Sequence, residues 1–276
     1  MSHPILDRFQ FRRLPFQADI DAGALYPSES FEQGRLRLKQ AVRDRGMVLV
    51  TGEYGAGKSA LVRAVTSQLA SSSYRVLYVA GVSGSNSLRP VVEGLLDQMG
   101  EKIPFNNVPR CLAVLQKALL RSYEQNVVPV VTVDDVHALD TRAWLGLKTL
   151  TNFEMDSKMP FCLWLMGPRQ DLMGPLRQAG LAEVRSRLQF CYHLKGLQEH
   201  ELEPYLAAHL RWAGCDRALF PRDVARELFR LTNGLPRTVN RLAYHCLMAA
   251  ALEGKDLIDQ TCLDRAVSEV LPPGLS

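Results

Sequence analysis

Gly52-Glu53-Tyr54-Gly55-Ala56-Gly57-Lys58-Ser59 is the stretch that decides how this chain is read. A glycine, four residues, then Gly-Lys-Ser is the phosphate-loop pattern. Before it runs the apolar segment Met47–Val50, which reads as a buried strand. After it, Lys58 to Leu69 reads as a helix with Leu61, Val62, Val65 and Leu69 on one face. Strand, glycine turn and helix form the context the pattern requires. The glycines let the backbone curl so that successive N–H groups face one anion. The helix adds the positive end of its dipole. Lys58 is placed to reach β- and γ-phosphates, and Ser59 to offer a hydroxyl to Mg²⁺. Gly52 to Ser59, with Ala60 behind them, are therefore the expected binding residues for a nucleoside triphosphate, ATP with Mg²⁺. The alternative is a plain glycine turn.

Outward from the loop, strands and helices alternate. Val76–Val79, Val127–Val133, Phe161–Met166 and Leu188–Leu194 read as strands. Val91–Met99, Pro109–Tyr123 and Trp144–Phe153 read as helices. Alternation of this kind implies a parallel sheet covered on both faces, an α/β class. After Gly196 the strands stop. Glu199–Ala213, Arg222–Leu231, Pro236–Leu252 and about Asp259–Val270 are helical patterns. Three divisions are expected: an N-terminal segment 1–45, an α/β core 46–196 and an all-helical region 197–276.

Composition limits the class. The chain has 276 residues, 47% of them hydrophobic, enough for one large domain or two modest ones. A net charge of +4 does not by itself call for nucleic acid. The six cysteines form no CxxC pair, and reduced, buried thiols are expected. Met1 to Arg13 lacks the apolar core of a signal peptide. No window approaches the roughly 18 apolar residues of a membrane span. The expectation is a soluble, cytoplasmic protein.

Three further groups carry chemistry. Asp134 and Asp135 close the strand Val127–Val133, as in a Walker B element. The first carboxylate is expected to hold Mg²⁺ and the second to orient the attacking water. An aspartate pair that caps the next turn is the alternative, and His137 reads as a turn or surface residue. Arg185 and Arg187 precede the fifth strand, where an arginine can reach a neighbouring subunit's γ-phosphate; a solvated basic turn is the alternative. Pro236 suits a first helical turn. It puts Arg237 near the N-terminus of that helix, where a cation is disfavoured unless it has an anionic partner.

Four segments carry a resemblance to a family: Leu14-Pro15-Phe16 with Leu25-Tyr26-Pro27-Ser28; the phosphate loop; Met166-Gly167-Pro168-Arg169-Gln170-Asp171-Leu172 with Arg185-Ser186-Arg187-Leu188 and Tyr192-His193-Leu194; and Asn233-Gly234-Leu235-Pro236-Arg237-Thr238-Val239-Asn240-Arg241-Leu242. With these the chain resembles an AAA+ ATPase. Within that superfamily it is similar to the branch of the ExeA-type general secretion pathway A proteins and of Mu- and Tn7-like transposition ATPases. The resemblance implies an αβα sandwich followed by a helical lid, a homo-oligomeric ring or filament, and ATP hydrolysis. Carried over by position, Arg237 with Pro236 is the sensor-2 element. Arg185 or Arg187 is the finger, Asp135 the hydrolytic acid, and the Tyr26 region of the N-terminal segment helps to hold adenine. Two positions depart from the pattern. Asp135 stands where glutamate is usual, and Pro168 stands where a polar sensor-1 side chain is usual. Both bear on the rate of hydrolysis more than on nucleotide binding.

The use of the ATP is open to three readings. The first is assembly on double-stranded DNA and recruitment of a transposase. Its motivation is that this sequence shows no membrane span or peptidoglycan-binding region after the lid, and that Arg110, Lys117, Arg121 and Lys148 are available for a DNA-facing surface. The second is a secretion or envelope-assembly ATPase acting on protein partners. The third is a slow, nucleotide-gated interaction switch.

Overall fold

A run as apolar as Met47–Val50 needs cover on both faces, and in the computed structural model it is an inner strand of a parallel sheet. The structure describes residues 3–81, 87–103 and 107–270. By contact it divides into two units. One comprises Gln33–Tyr54 and Leu61–Leu194, the other Met1–Glu32, Gly55–Ala60 and Lys195–Ser276. Met1, Ser2 and residues 271–276, the ends of the expected N-terminal segment and lid, lie outside the described residues.

The first unit is built on strands β1 (Met47–Gly52), β2 (Tyr74–Ala80), β3 (Val128–Asp134), β4 (Cys162–Pro168) and β5 (Leu188–Leu194). They pair in parallel in the order β2-β3-β4-β1-β5. The inner strands β1 and β4 are buried at every position, whereas the edge strand β2 leaves Val76 and Tyr78 exposed. Strand alternation splits β1 between two faces. Met47 and Leu49 join a core with Leu95 and Leu115 from helices α4 (Arg89–Met99) and α5 (Val108–Glu124), and with Trp144 and Leu147 from α6 (Thr141–Leu150). The opposite side carries α2 (Glu29–Asp44) and α3 (Lys58–Thr66). There Gly34 is required by close approach, since a Cβ would stand 2.8 Å from both Leu61 and Tyr192. This is the α/β architecture with a parallel sheet that the alternating pattern implies.

Two expected elements shift and three more appear. The helix expected over Trp144–Phe153 lies at Thr141–Leu150, because Asp140 caps it by accepting from the Ala143 N–H at 2.7 Å. The helix expected to run to Leu69 ends at Thr66, whose hydroxyl turns back to the Val62 carbonyl at 3.0 Å. Short helices at Pro4–Phe9 (α1), Arg169–Arg177 (α7) and Ala182–Arg187 (α8) were not anticipated from the sequence pattern. The expectation of buried thiols fails at one position: Cys191, on the edge strand β5, is exposed, while the other cysteines are buried, and none of them is in a disulfide.

The second unit is helical after Lys195: α9 (Glu199–Ala213), α10 (Arg222–Thr232), α11 (Pro236–Leu252) and α12 (Gln260–Val270). Their apolar faces enclose Leu206, Leu228, Leu242 and Leu263, and the N-terminal aromatics Phe9, Phe11 and Phe16 are buried in the same core. A full burial of such a ring contributes about 1.5–3 kcal/mol, so the first sixteen residues are structural members of this unit. Glu201 fastens the start of α2 to the same unit. It is 5% exposed, and its two oxygens accept from the Glu29 N–H at 2.7 Å and the Gln198 N–H at 2.8 Å.

Candidate nucleotide site

In open parallel α/β sheets, ligands gather beyond the carboxyl ends of the strands. The register aligns three of those ends, with Gly52 of β1 opposite Pro168 of β4 and Leu194 of β5. The chain leaves β1 at Gly52 directly into the phosphate loop. Within the loop Gly55 has φ +83° and Gly57 φ +98°, values that favour glycine. A Cβ added at Gly57 would meet nothing within 4 Å. That open backbone stands next to the first turn of α3, which holds no acidic residue. A glycine loop that leads into a helix N-terminus free of competing carboxylates fits a phosphate. Lys58 is buried and Ser59 exposed.

At Gly55 the situation is the reverse. A Cβ there would lie 2.7 Å from the Arg237 Cβ, and the Arg237 N–H donates to the Gly55 carbonyl at 3.2 Å. Pro236 opens α11, so Arg237 is in its first turn, where N–H groups have no partner inside the helix. The loop supplies the partner. The arginine expected from sequence to need an anion beside it is thus tied by its backbone to the phosphate loop, and its side chain starts from there. Tyr26 packs edge-on against Tyr205, with ring centroids 5.9 Å apart, and burial followed by the Glu201 charge raises its phenol above the ordinary range.

In the sheet unit, Asp134 ends β3 and is 7% exposed. Its Oδ1 accepts from the Asp135 N–H at 2.8 Å and its Oδ2 from the Tyr78 hydroxyl at 3.1 Å. Tyr78 pairs with Thr132 across β2 and β3, which makes it the diagonal neighbour of Asp134 on the same face. Burial, then the Asp134 carboxylate, pushes the Tyr78 phenol up to about 12, so it remains a donor. A buried, oriented carboxylate oxygen fits a hard divalent cation. Asp135 adopts φ +49° and its side chain is half exposed. Among the described residues no cluster of three or more His, Cys, Asp or Glu could hold a metal ion.

A second group joins the loop to the residues after β3 and β4. The Tyr54 hydroxyl donates to Asp171 Oδ2 at 2.9 Å and lies 3.4 Å from His137 Nε2. Asp171 sits in the first turn of α7. The hydrogen bond to Asp171 is the main reason the Tyr54 phenol is raised. His137, read from sequence as a turn or surface residue, does lie in a short 3₁₀ turn, Val136–Ala138, but its Nδ1 is buried. No sequence pattern announces this group, because its members are far apart in the chain.

Arg185 and Arg187 lie on α8, and both are engaged. Arg185 donates to the carbonyls of Leu176 and Gln178, and Arg187 pairs with Asp156 at 2.5 Å. Of the four basic residues considered for a DNA face, Arg121 pairs with Glu101 at 2.9 Å and Lys148 with Glu183 at 2.8 Å. Among the described residues no helix is long and apolar enough to cross a membrane.

The sheet order, the loop and the helical unit define an AAA+ P-loop fold, and residues 41–173 match the family described as AAA domain. The chain is similar to general secretion pathway protein A of Aeromonas hydrophila, to which it is 28% identical over 260 residues, covering 93% of this chain and 46% of that protein. It therefore spans about half the length of the curated relative it matches. Among solved structures, Cdc6p of Pyrobaculum aerophilum superposes with a TM-score of 0.70 at 15% identity, over 96% of this chain and 71% of that one. The ORC2 protein of Aeropyrum pernix in its ADPNP–ADP complexes gives 0.65 at 16%, over 95% and 71%. The RuvB Holliday junction branch migration motor of Thermotoga maritima gives 0.55 at 18%, over 86% and 68%. At these identities the likeness is one of fold.

Proposed function

We propose that the protein binds and hydrolyses ATP and uses the cycle to control its own assembly. The observation that carries this reading is the backbone tie between Gly55 and Arg237, which joins the phosphate loop to the arginine expected to sense the γ-phosphate. Gly52–Ala60 would hold the phosphates, Ser59 and Asp134 the Mg²⁺, and Tyr26 with Pro236 the nucleoside side. Bound Mg²⁺ would neutralise charge on the phosphate oxygens. Asp135 would orient the water. Its shorter side chain and the apolar Pro168 favour slow turnover, the behaviour of a switch. Arg185 or Arg187 would act on a neighbouring copy. Measured ATPase activity of the purified protein, and its loss in Lys58→Ala, tests the reading; turnover that survives this substitution would sink it.

For the partner, we favour duplex DNA with a transposase recruited to the assembled protein. The fold shared with a Holliday junction branch migration motor supports DNA, while the ion pairs at Arg121 and Lys148 leave less free basic surface for it. The second reading, a secretion ATPase acting on proteins, is favoured by the general secretion pathway relative. ATP-stimulated, salt-sensitive binding to duplex DNA supports the first. Its absence, with co-purification of an envelope protein, supports the second.

A further inference from the structure

We propose that Tyr54 is a tautomer lock: it holds His137 with its proton on Nε2 and so keeps His137 from capturing the Asp135 carboxylate. The inference rests on the reading of Asp135 as the acid that orients water. All four side chains involved, Asp135, His137, Tyr54 and Asp171, belong to the sheet unit.

The argument is a count of protons. A phenol has one to give, and Tyr54 gives it to Asp171 Oδ2 at 2.9 Å, since an ionised carboxylate only accepts. The phenol oxygen then offers lone pairs to His137 Nε2 at 3.4 Å, and Nε2 must be the donor. A neutral imidazole with a proton on Nε2 has a bare lone pair on Nδ1. That Nδ1 is buried without a hydrogen-bond partner and stands 3.8 Å from Asp135 Oδ1. Two acceptors at that separation do not bond. The carboxylate is left half exposed, on a left-handed backbone.

The other tautomer would behave differently. With its proton on Nδ1, His137 would donate to Asp135, and a rotation that closes the gap by about 1 Å would make a charge-assisted hydrogen bond. Tyr54 thus acts as a positioning residue at one remove from Asp135. Its place in the phosphate loop means that a movement of the loop reaches the acid through a single ring.

The test uses Tyr54→Phe, which removes the hydroxyl at a half-exposed position and leaves the fold intact. At about pH 8, where an ordinary imidazole is neutral, ¹⁵N-detected NMR of the side chain is expected to show the Nε2–H form of His137 in the parent protein and the Nδ1–H form in Tyr54→Phe. Turnover in Tyr54→Phe is expected to fall about ten- to a hundredfold, the scale of an ångström's misplacement, with KM for ATP changed by less than about threefold. The double variant Tyr54→Phe/His137→Ala should be faster than Tyr54→Phe alone, because the captor is gone. A merely structural contact predicts no such rescue. An Nδ1–H tautomer in the parent protein, an unchanged tautomer in Tyr54→Phe, or a double variant no faster than the single overturns the proposal. If the parent protein shows no turnover at all, the ATPase reading fails, while the tautomer measurement still decides whether the lock exists.

Discussion

Substituting alanine at Gly55 and at Gly57 should give opposite balances of damage, although both glycines serve the same loop. At Gly57 the backbone has φ +98° and a new Cβ would touch nothing within 4 Å. Only the left-handed conformation then opposes the alanine, at about 1–2 kcal/mol. On the proposed reading, however, the open space is the side from which a phosphate would meet the loop. A hydrogen bond to a charged group contributes about 1.5–3 kcal/mol, so one such bond lost weakens nucleotide binding about ten- to a hundredfold. At Gly55 the φ is +83° and the Cβ would fall 2.7 Å from the Arg237 Cβ, an atom next to the backbone that cannot swing aside. Overpacking of this kind adds about 1–3 kcal/mol. The expected loss of stability is therefore about 2–5 kcal/mol for Gly55→Ala against about 1–2 kcal/mol for Gly57→Ala. Urea denaturation followed by circular dichroism measures the first quantity, and titration with a fluorescent ATP analogue measures the second. The reasoning is refuted if Gly57→Ala is destabilised as much as Gly55→Ala, or if Gly57→Ala binds nucleotide normally.

Other expectations follow from the same geometry. Tyr78→Phe deletes a hydrogen bond to the Asp134 carboxylate, about 1.5–3 kcal/mol, and should raise the Mg²⁺ concentration needed for half-maximal hydrolysis about ten- to a hundredfold; an unchanged Mg²⁺ titration would remove Tyr78 from the site. His209 is 2% exposed, stacked on Phe16 at 5.0 Å, and burial pushes its imidazole down to about 4. Its folded value lies below the unfolded one, near 6.5, so the unfolded chain binds more protons in that window. The stability this gives is present above about pH 6.5 and falls away towards about pH 4, by about 2 kcal/mol between pH 7 and pH 5. His209→Phe should flatten that part of the stability profile, and identical profiles for parent and variant would show that the ring titrates normally. If Arg187 serves a neighbour's site, Arg187→Ala and Lys58→Ala should each be inactive alone and regain activity when mixed, because a Lys58→Ala copy still carries the arginine. No recovery in the mixture would confine Arg187 to its own chain.

The parts of the fold that sequence reveals are those fixed by local chemistry. The bounds of β5, α9 and α11 are legible because each is set by a neighbouring residue, such as the capping pair Gln198 and Glu201 or the proline at the start of α11. The short helices α7 and α8 are illegible because Pro175, Gly174 and Gly180 break their periodicity, and tertiary contact stabilises them instead. The site divides in the same way. Lys58 and Ser59 are candidates from sequence because a phosphate dictates residue types at fixed spacing, and Asp134 because an acid closes an apolar strand. Tyr54, His137, Asp171 and Tyr78 are not, since their contacts depend on which strand ends become neighbours. The tie of Arg237 to Gly55 is intermediate: proline and arginine mark a helix start, but nothing in the sequence says which carbonyl will receive its N–H.

Arg187 is held by an exposed turn with an unusual backbone. Glu154, Met155 and Asp156 have φ of +45°, +55° and +66°, three successive non-glycine residues in the left-handed region, with Met155 fully exposed at the tip. Each such residue is unfavourable by about 1–2 kcal/mol relative to an ordinary conformation. The Arg187–Asp156 ion pair is one of the contacts that hold the turn in this form. Separating the pair would lose an interaction and let the turn relax at once, so the two changes partly cancel. An arginine restrained by a strained partner leaves it at lower net cost than one restrained by a relaxed partner. If Arg187 serves a neighbour's site, release of the turn would accompany the approach of that copy, and the exposed Met155 offers a reporter, since its rate of oxidation should change when the turn does.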